Sequence, residues 1–310
     1  MTQSKIRARN GITVGLAAAF LFFSPSVVRA DNFKLTCSPT KTIGQAIKTL
    51  KPGDTLFVSG TCNENLEIGE EVHRITLDGQ GTASIISGTT PQTRTVLVNG
   101  TGITIRGFTI TGGGQAAILV ADGGSAVIDG NTIQSGGNQG IAVFRNSTAH
   151  IINNTIEGGA TAGIFVQESS TARIGFTGGN NFRVQAPNTI QNNPGDGIRV
   201  WRSSSAQIYA NSILNNGING VYVQRNSHAS ISANNINGNT GHGILAARNG
   251  GVEIGLVLPT PLVEFDDHTN TGTNGGFAVR CMIEGFADGK IGTLAGGTSF
   301  TEGCTDSLIP

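Results

Sequence analysis

The side chains best suited to chemistry in this 310-residue chain fall close together in its pattern. The only tryptophan, Trp201, sits between Arg199 and Arg202, and Tyr222, Arg225 and Arg248 return at matching intervals downstream. Glu168 and Asp196 are carboxylates at neighbouring positions. A guanidinium pairs bidentately with a carboxylate, and an aromatic face stacks on a sugar ring. The set therefore suits a groove that holds an extended acidic polymer. The plainer reading is that the arginine stems cover surface while their heads stay in water.

These positions recur because the chain repeats itself. Gly140-Ile141-Ala142-Val143, Gly163-Ile164-Phe165-Val166, Gly197-Ile198-Arg199-Val200, Gly220-Val221-Tyr222-Val223 and Gly243-Ile244-Leu245-Ala246 begin at intervals of 23, 34, 23 and 23 residues. Short β-type runs at a fixed period cannot stand alone and imply an all-β solenoid. Ile118, Ile141, Ile164, Ile198, Val221, Ile244 and Phe277 share one inward position of a first strand. Val143, Val166, Val200, Val223, Ala246 and Val279 share the inward position two later. Ala149-x-Ile151 and its equivalents line a second strand, and Ile133, Ile156, Ile190, Ile213 and Ile236 line a third. Alternation turns Arg199, Tyr222 and Leu245 outward, followed by Trp201 and Gln224. The next column reads Asp122, Arg145, Glu168, Arg202, Arg225, Arg248.

The opening of the chain supports the same architecture. Thr42-Ile43-Gly44-Gln45-Ala46-Ile47, Lys51-Pro52-Gly53-Asp54-Thr55-Leu56 and Asn63-Glu64-Asn65-Leu66, with the Gly-Ile-x-Val and Asn-x-Ile units, resemble secreted right-handed parallel β-helix proteins of the pectate-lyase-like superfamily. The resemblance implies a single-stranded right-handed parallel β-helix with a short N-terminal capping helix. Ile43, Ala46, Ile47 and Leu50 have the helical spacing for that lid. Asn131, Asn154, Asn188, Asn211 and Asn234, each two residues before a third-strand Ile, look like the internal asparagine ladder of those folds. Buried amides that bond to one another escape the cost of an isolated one. In the resembled lyases, acidic residues bind calcium and an Arg or Lys removes a proton from a uronic acid. Arg199, Arg202, Arg225 or Arg248 would stand in the base role, with Glu168, Asp196, Asp266 or Asp267 near a cation. No catalytic motif matches closely enough to carry a residue across.

Two coils depart from the 23-residue beat. One insertion lies between Ile174 and Asn188, the other between Ile254 and Gly276. Insertions in repeat proteins emerge on one side, often the binding side. If both project from the turn before the first strand, they wall off the strands starting at Gly197, Gly220 and Gly243, with roughly 15 to 19 Å between the walls. The second insertion holds Glu264, Asp266 and Asp267, oxygen ligands suited to calcium.

The remaining features set the organisation. Residues 1–30 have the basic start, apolar run and Val28-Arg29-Ala30 cleavage pattern of a signal peptide, so the mature chain is expected to be periplasmic or extracellular and to have no membrane span. Residues 31–54 are expected to form the N-terminal cap, 55–280 the β-helix and 281–310 a C-terminal cap or tail. The formal charge is zero for the whole chain and −4 without the leader, with no basic block and hence no nucleic-acid footprint. The four cysteines form two terminal pairs outside the repeats, which points to Cys37–Cys62 and Cys281–Cys304 disulfides, since the ends of a rod are far apart. The histidines fall at different repeat positions and show no metal signature. No nucleotide loop or Gly-x-Ser-x-Gly elbow is present. The sequence thus points to an exported β-helix that binds an acidic polysaccharide, and leaves open whether it also cleaves or epimerises it as a lyase or epimerase. Its rival is a noncatalytic surface or adhesin-like module.

Overall fold

The computed structural model describes residues 30–178, 183–255, 269–297, 301–304 and 308–309. The expected leader, apart from Ala30, and the calcium candidates Glu264, Asp266 and Asp267 lie outside the described residues. The described chain winds into a right-handed parallel β-solenoid of about 11 turns, with one short α-helix near its start.

Each coil contributes three strands. First strands, from Leu66–Ile68 to Thr301–Glu302, stack into a ten-stranded parallel sheet. Second and third strands form the other faces, joined where Thr76–Ile86 and Ile103–Gly112 run on around the corner between them. The expected register holds through the regular coils: Ile141 pairs with Ile164, Ile164 with Ile198 and Ile198 with Val221. All four are fully buried, as are the third-strand isoleucines from Ile133 to Ile236. The glycine that opens each unit is there because backbones approach closely: a Cβ on Gly197 would sit 2.7 Å from the carbonyl oxygen of Gly220 in the next coil.

One register assignment is corrected. Val279, not Phe277, pairs with Ile244, and Cys281, not Val279, pairs with Ala246. Phe277 is instead half-buried on the outside, against His242. Its size suits an inward slot, but the coil before it has an irregular length, and Ala278 takes the position of the opening glycine.

Both ends are closed much as expected. The lid is an α-helix over Ile43–Ala46 that tightens into a 3₁₀ turn over Ile47–Thr49, with Thr42 and Gln45 forming a capping box. Glu64 accepts hydrogen bonds from the Ile43 and Gly44 N–H groups at its start. Parallel pairing begins earlier than expected, with Asn32–Thr36 on Thr55–Ser59, and continues beyond residue 280 through Phe286–Lys290 and Gly292–Gly296. The disulfides Cys37–Cys62 and Cys281–Cys304 are both formed.

The insertions leave from a different corner than the expected one. The first departs after Ile174 and returns to the third strand Thr189–Gln191; the second departs after Ile254 and returns to Asn270–Asn274. Both leave and return between second and third strands, not at the turn before the first strand. That corner tolerates extra chain because the asparagine ladder closes across it: Asn154 Nδ2 still reaches Asn188 Oδ1 at 3.0 Å.

Candidate functional site

Ladders of polar side chains fix the frame of the site. The asparagines from Asn131 to Asn234 are buried and bonded coil to coil, and Asn270 extends the column. A second ladder of Asn193, Asn216, Asn239 and Asn274 runs inside the turn after the third strand. A third, of Ser147, Ser170, Ser204 and Ser227, runs inside the turn after the first strand. Repetition at constant spacing was the available signal for both additional ladders.

The column from Asp122 to Arg248 lies at this last turn. Arg202, Arg225 and Arg248 have φ of 54°, 56° and 51°, and the residue after each is also left-handed. Two successive left-handed residues make a tight corner and push the side chains away from the core. Their heads are not equally available. Asp122 pairs with Arg145 at 3.2 Å, Arg145 with Glu168 at 3.7 Å, and Glu168 with Arg202 at 2.9 Å. Arg225 and Arg248 have no ion-pair partner among the described residues.

Trp201 organises the near end of this row. Its ring stacks on Phe165 from the preceding coil, with centroids 5.6 Å apart and planes 10° from parallel. The guanidinium carbons of Arg202 and Arg225 lie 4.8 and 4.7 Å from its ring centre. The protein itself thus occupies the ring, which orients two cations instead of lying open to a sugar.

Arg199 is committed as well. Its Nε donates to Asp196 Oδ2 at 2.7 Å, and its guanidinium carbon lies 5.3 Å from the Tyr222 ring. Asp196, fully buried, also accepts from the backbone and side-chain amides of Asn219 at 3.0 and 2.9 Å. Tyr222 donates its hydroxyl to Gln224. Burial raises the Tyr222 pKa above its ordinary value, against the opposing pull of Arg199. Asn219 Oδ1 accepts from the His242 N–H, and His242 Nδ1 accepts from the Phe277 N–H at 3.0 Å. Burial, and then Arg280, lowers the His242 pKa.

The structure therefore brings Glu168, Asp196, Arg199, Trp201, Arg202, Tyr222, Arg225 and Arg248 onto one face and turn. The two carboxylates of the set, Glu168 and Asp196, are each ion-paired with an arginine. The only group of three metal-ligating side chains among the described residues is Cys37, Cys62 and Glu64, and its two sulfurs are bonded to each other. Among the described residues no helix is long and apolar enough to cross a membrane.

The profile of the right-handed β-helix region matches residues 68–182 and 172–255, more than half of the chain. The chain belongs to the right-handed β-helix family. No curated protein matches its sequence. Among solved structures, an alginate lyase from Paenibacillus sp. is 16% identical, with 90% of this chain and 99% of that one aligned and a TM-score of 0.54. A pectate lyase is 11% identical over 92% and 80% of the two chains, at 0.57. The enzymatically active domain of a tailspike protein from bacteriophage CBA120 is 9% identical over 91% and 47%, at 0.60. At these identities the family β-helix shares its fold with proteins that include polysaccharide lyases, and the likeness extends no further.

Proposed function

We propose that this β-helix protein is exported and binds an extended acidic polysaccharide along the turn that carries Arg202, Arg225 and Arg248. The observation that carries the proposal is the pair of guanidiniums with no ion-pair partner among the described residues, Arg225 and Arg248, on successive coils about 4.8 Å apart. Trp201 holds Arg225 in place, and the row follows the rod axis, so a linear polyanion can meet one cation per coil. Two terminal disulfides fit a protein that works in an oxidising compartment.

Binding without turnover is the second reading, and a specific observation favours it. The acidic groups of the face are engaged with arginines. A polyuronate titrated into the full chain should bind more tightly than a neutral polymer, and affinity should fall as salt rises. Arg225→Ala combined with Arg248→Ala should remove that preference. Unchanged affinity in the double variant would reject the site. Release of unsaturated products, assayed with calcium and with chelator, would move the reading from binding to lyase chemistry.

A further inference from the structure

The outer face of the second sheet carries a furrow that the arginine row does not use. Its volume is about 500 Å³ and it crosses four coils, within the size range of small-ligand clefts. Two outward rows form its banks. Thr171 and Ser205 are register neighbours in one row, Arg173 and Gln207 in the other, and His228 and His150 stand at opposite ends. Between the rows, Ala172 and Ala206 point into the core, so the floor is backbone. Side chains two residues apart stand about 7 Å from each other across the trough, and the trough runs along the rod axis.

The first insertion engages the one guanidinium of the lining. Phe176–Thr177 and Val184–Gln185 form an antiparallel hairpin at the end of the Arg173 strand. Phe176 is fully buried and packs edge-on against Tyr209 of the second sheet. Arg173 donates to the Gly178 carbonyl, and its guanidinium carbon sits 4.5 Å from the Phe176 ring centre. The one guanidinium in the banks is thus turned into the hairpin. The rest of the lining is hydroxyl, amide and imidazole. Burial, and then the nearby Arg173, lowers the His150 pKa below its ordinary value. Ser205 and Gln207 make no side-chain hydrogen bond to another described residue, so their donors and acceptors remain available to a ligand.

We propose that this furrow is a second binding site, for a neutral polyhydroxylated chain of the class of uncharged oligosaccharides, laid along the rod axis. A neutral sugar matches it because every hydroxyl can both donate and accept, and the one guanidinium of the lining, Arg173, is engaged by the Gly178 carbonyl and the Phe176 ring. The proposal does not depend on the arginine row. The two sites lie on different faces and respond differently to salt: charge-driven binding at the row weakens with added salt, while hydrogen bonding in the furrow does not.

The test is calorimetric titration of the full chain with uncharged hexasaccharides of glucose, mannose and galactose, at low and high salt. At least one should bind saturably with an affinity that salt does not change. Gln207→Ala should weaken it about tenfold, the loss of one to two ligand hydrogen bonds. Ser205→Phe places a ring in the trough at an exposed position and should abolish binding with the melting temperature unchanged, while Arg225→Ala should leave binding intact. Failure of all three sugars to bind would overturn the proposal, as would binding that Arg225→Ala removes and Gln207→Ala does not.

Discussion

Asp196 and Asn219 lie on adjacent coils of the outer face, and one carboxylate oxygen of Asp196 accepts both the backbone and the side-chain N–H of Asn219. The other oxygen holds Arg199. A fully buried anion on the outside of a sheet is stable only because each of its oxygens is engaged. The same unit fixes the side chain that the sequence suggested as a base.

Asp196→Ala should therefore destabilise the protein by about 3 kcal/mol, since it strands a half-buried guanidinium and two amide donors. Asp196→Asn keeps one acceptor and should cost less. Urea midpoints of the two variants check the order; equal, small changes would show that the unit contributes little.

Asn211, like Asn154 and Asn234, is bonded at every side-chain position in its ladder. Its Nδ2 contacts Ile174 O, Tyr209 O and Asn234 Oδ1, and its Oδ1 accepts from Asn188. Asn211→Ala leaves those groups buried and unpaired, an expected loss of about 1–3 kcal/mol by chemical denaturation. A denaturation curve superimposable on that of the unaltered chain would count against the ladder as a stabilising device.

The contrast between these residues and Arg225 shows how far the sequence can be read. Stacking places the same side chain above itself in every coil, so Ile141, Ile164 and Ile198, or Asn188 and Asn211, announce their inward slots by period alone. The ladders through Asn216 and Ser204 are equally periodic, with Asn193, Asn216 and Asn239 three residues after a third-strand Ile and each Ser two before a second-strand Ala, and are legible in the same way. The corner from which the chain departs after Ile174 and Ile254 depends on which turn can open without breaking a ladder, and composition does not record that. Whether Arg199 or Arg225 keeps a free head depends on side-chain contacts between coils. His150 and His228 occupy different rows of the repeat, and only the width of one furrow brings them to the same site.

The two disulfides close loops at the ends of the rod, with Cα atoms 5.1 and 4.8 Å apart. Cys281 lies in the last long first strand, and Cys304 follows the strand paired with it. Replacing Cys281 and Cys304 by Ser should cost about 2–4 kcal/mol, or less if the terminal coil frays separately from the rest. Hydrogen exchange resolves the two cases: loss of protection confined to residues after 280 indicates local fraying, and loss across the rod indicates a global effect. Unchanged protection everywhere would mean that the C-terminal staple does not stabilise the fold.

His242 sets the final expectation, a dependence of stability on pH. Its Nδ1 accepts the Phe277 N–H, and Arg280 Nη1 stands 3.3 Å from its Nε2. Protonation would replace the acceptor that Phe277 needs with a donor and would set a second cation beside Arg280, which Glu302 only partly offsets. Burial first, and Arg280 second, therefore hold its pKa below the ordinary 6.5. His150 is lowered in the same direction, by burial and then by Arg173. In the window between the lowered folded value and 6.5, the unfolded chain binds more protons than the folded one, so stability rises with pH. The contribution is complete above 6.5 and is lost as pH falls toward the folded value. Urea midpoints measured between about pH 7.5 and pH 5.5 should therefore fall on acidification. His242→Gln should remove part of that slope, and combining it with His150→Gln should flatten the slope further. A slope that survives intact in the double variant would assign the pH response to other groups and leave both imidazoles as spectators.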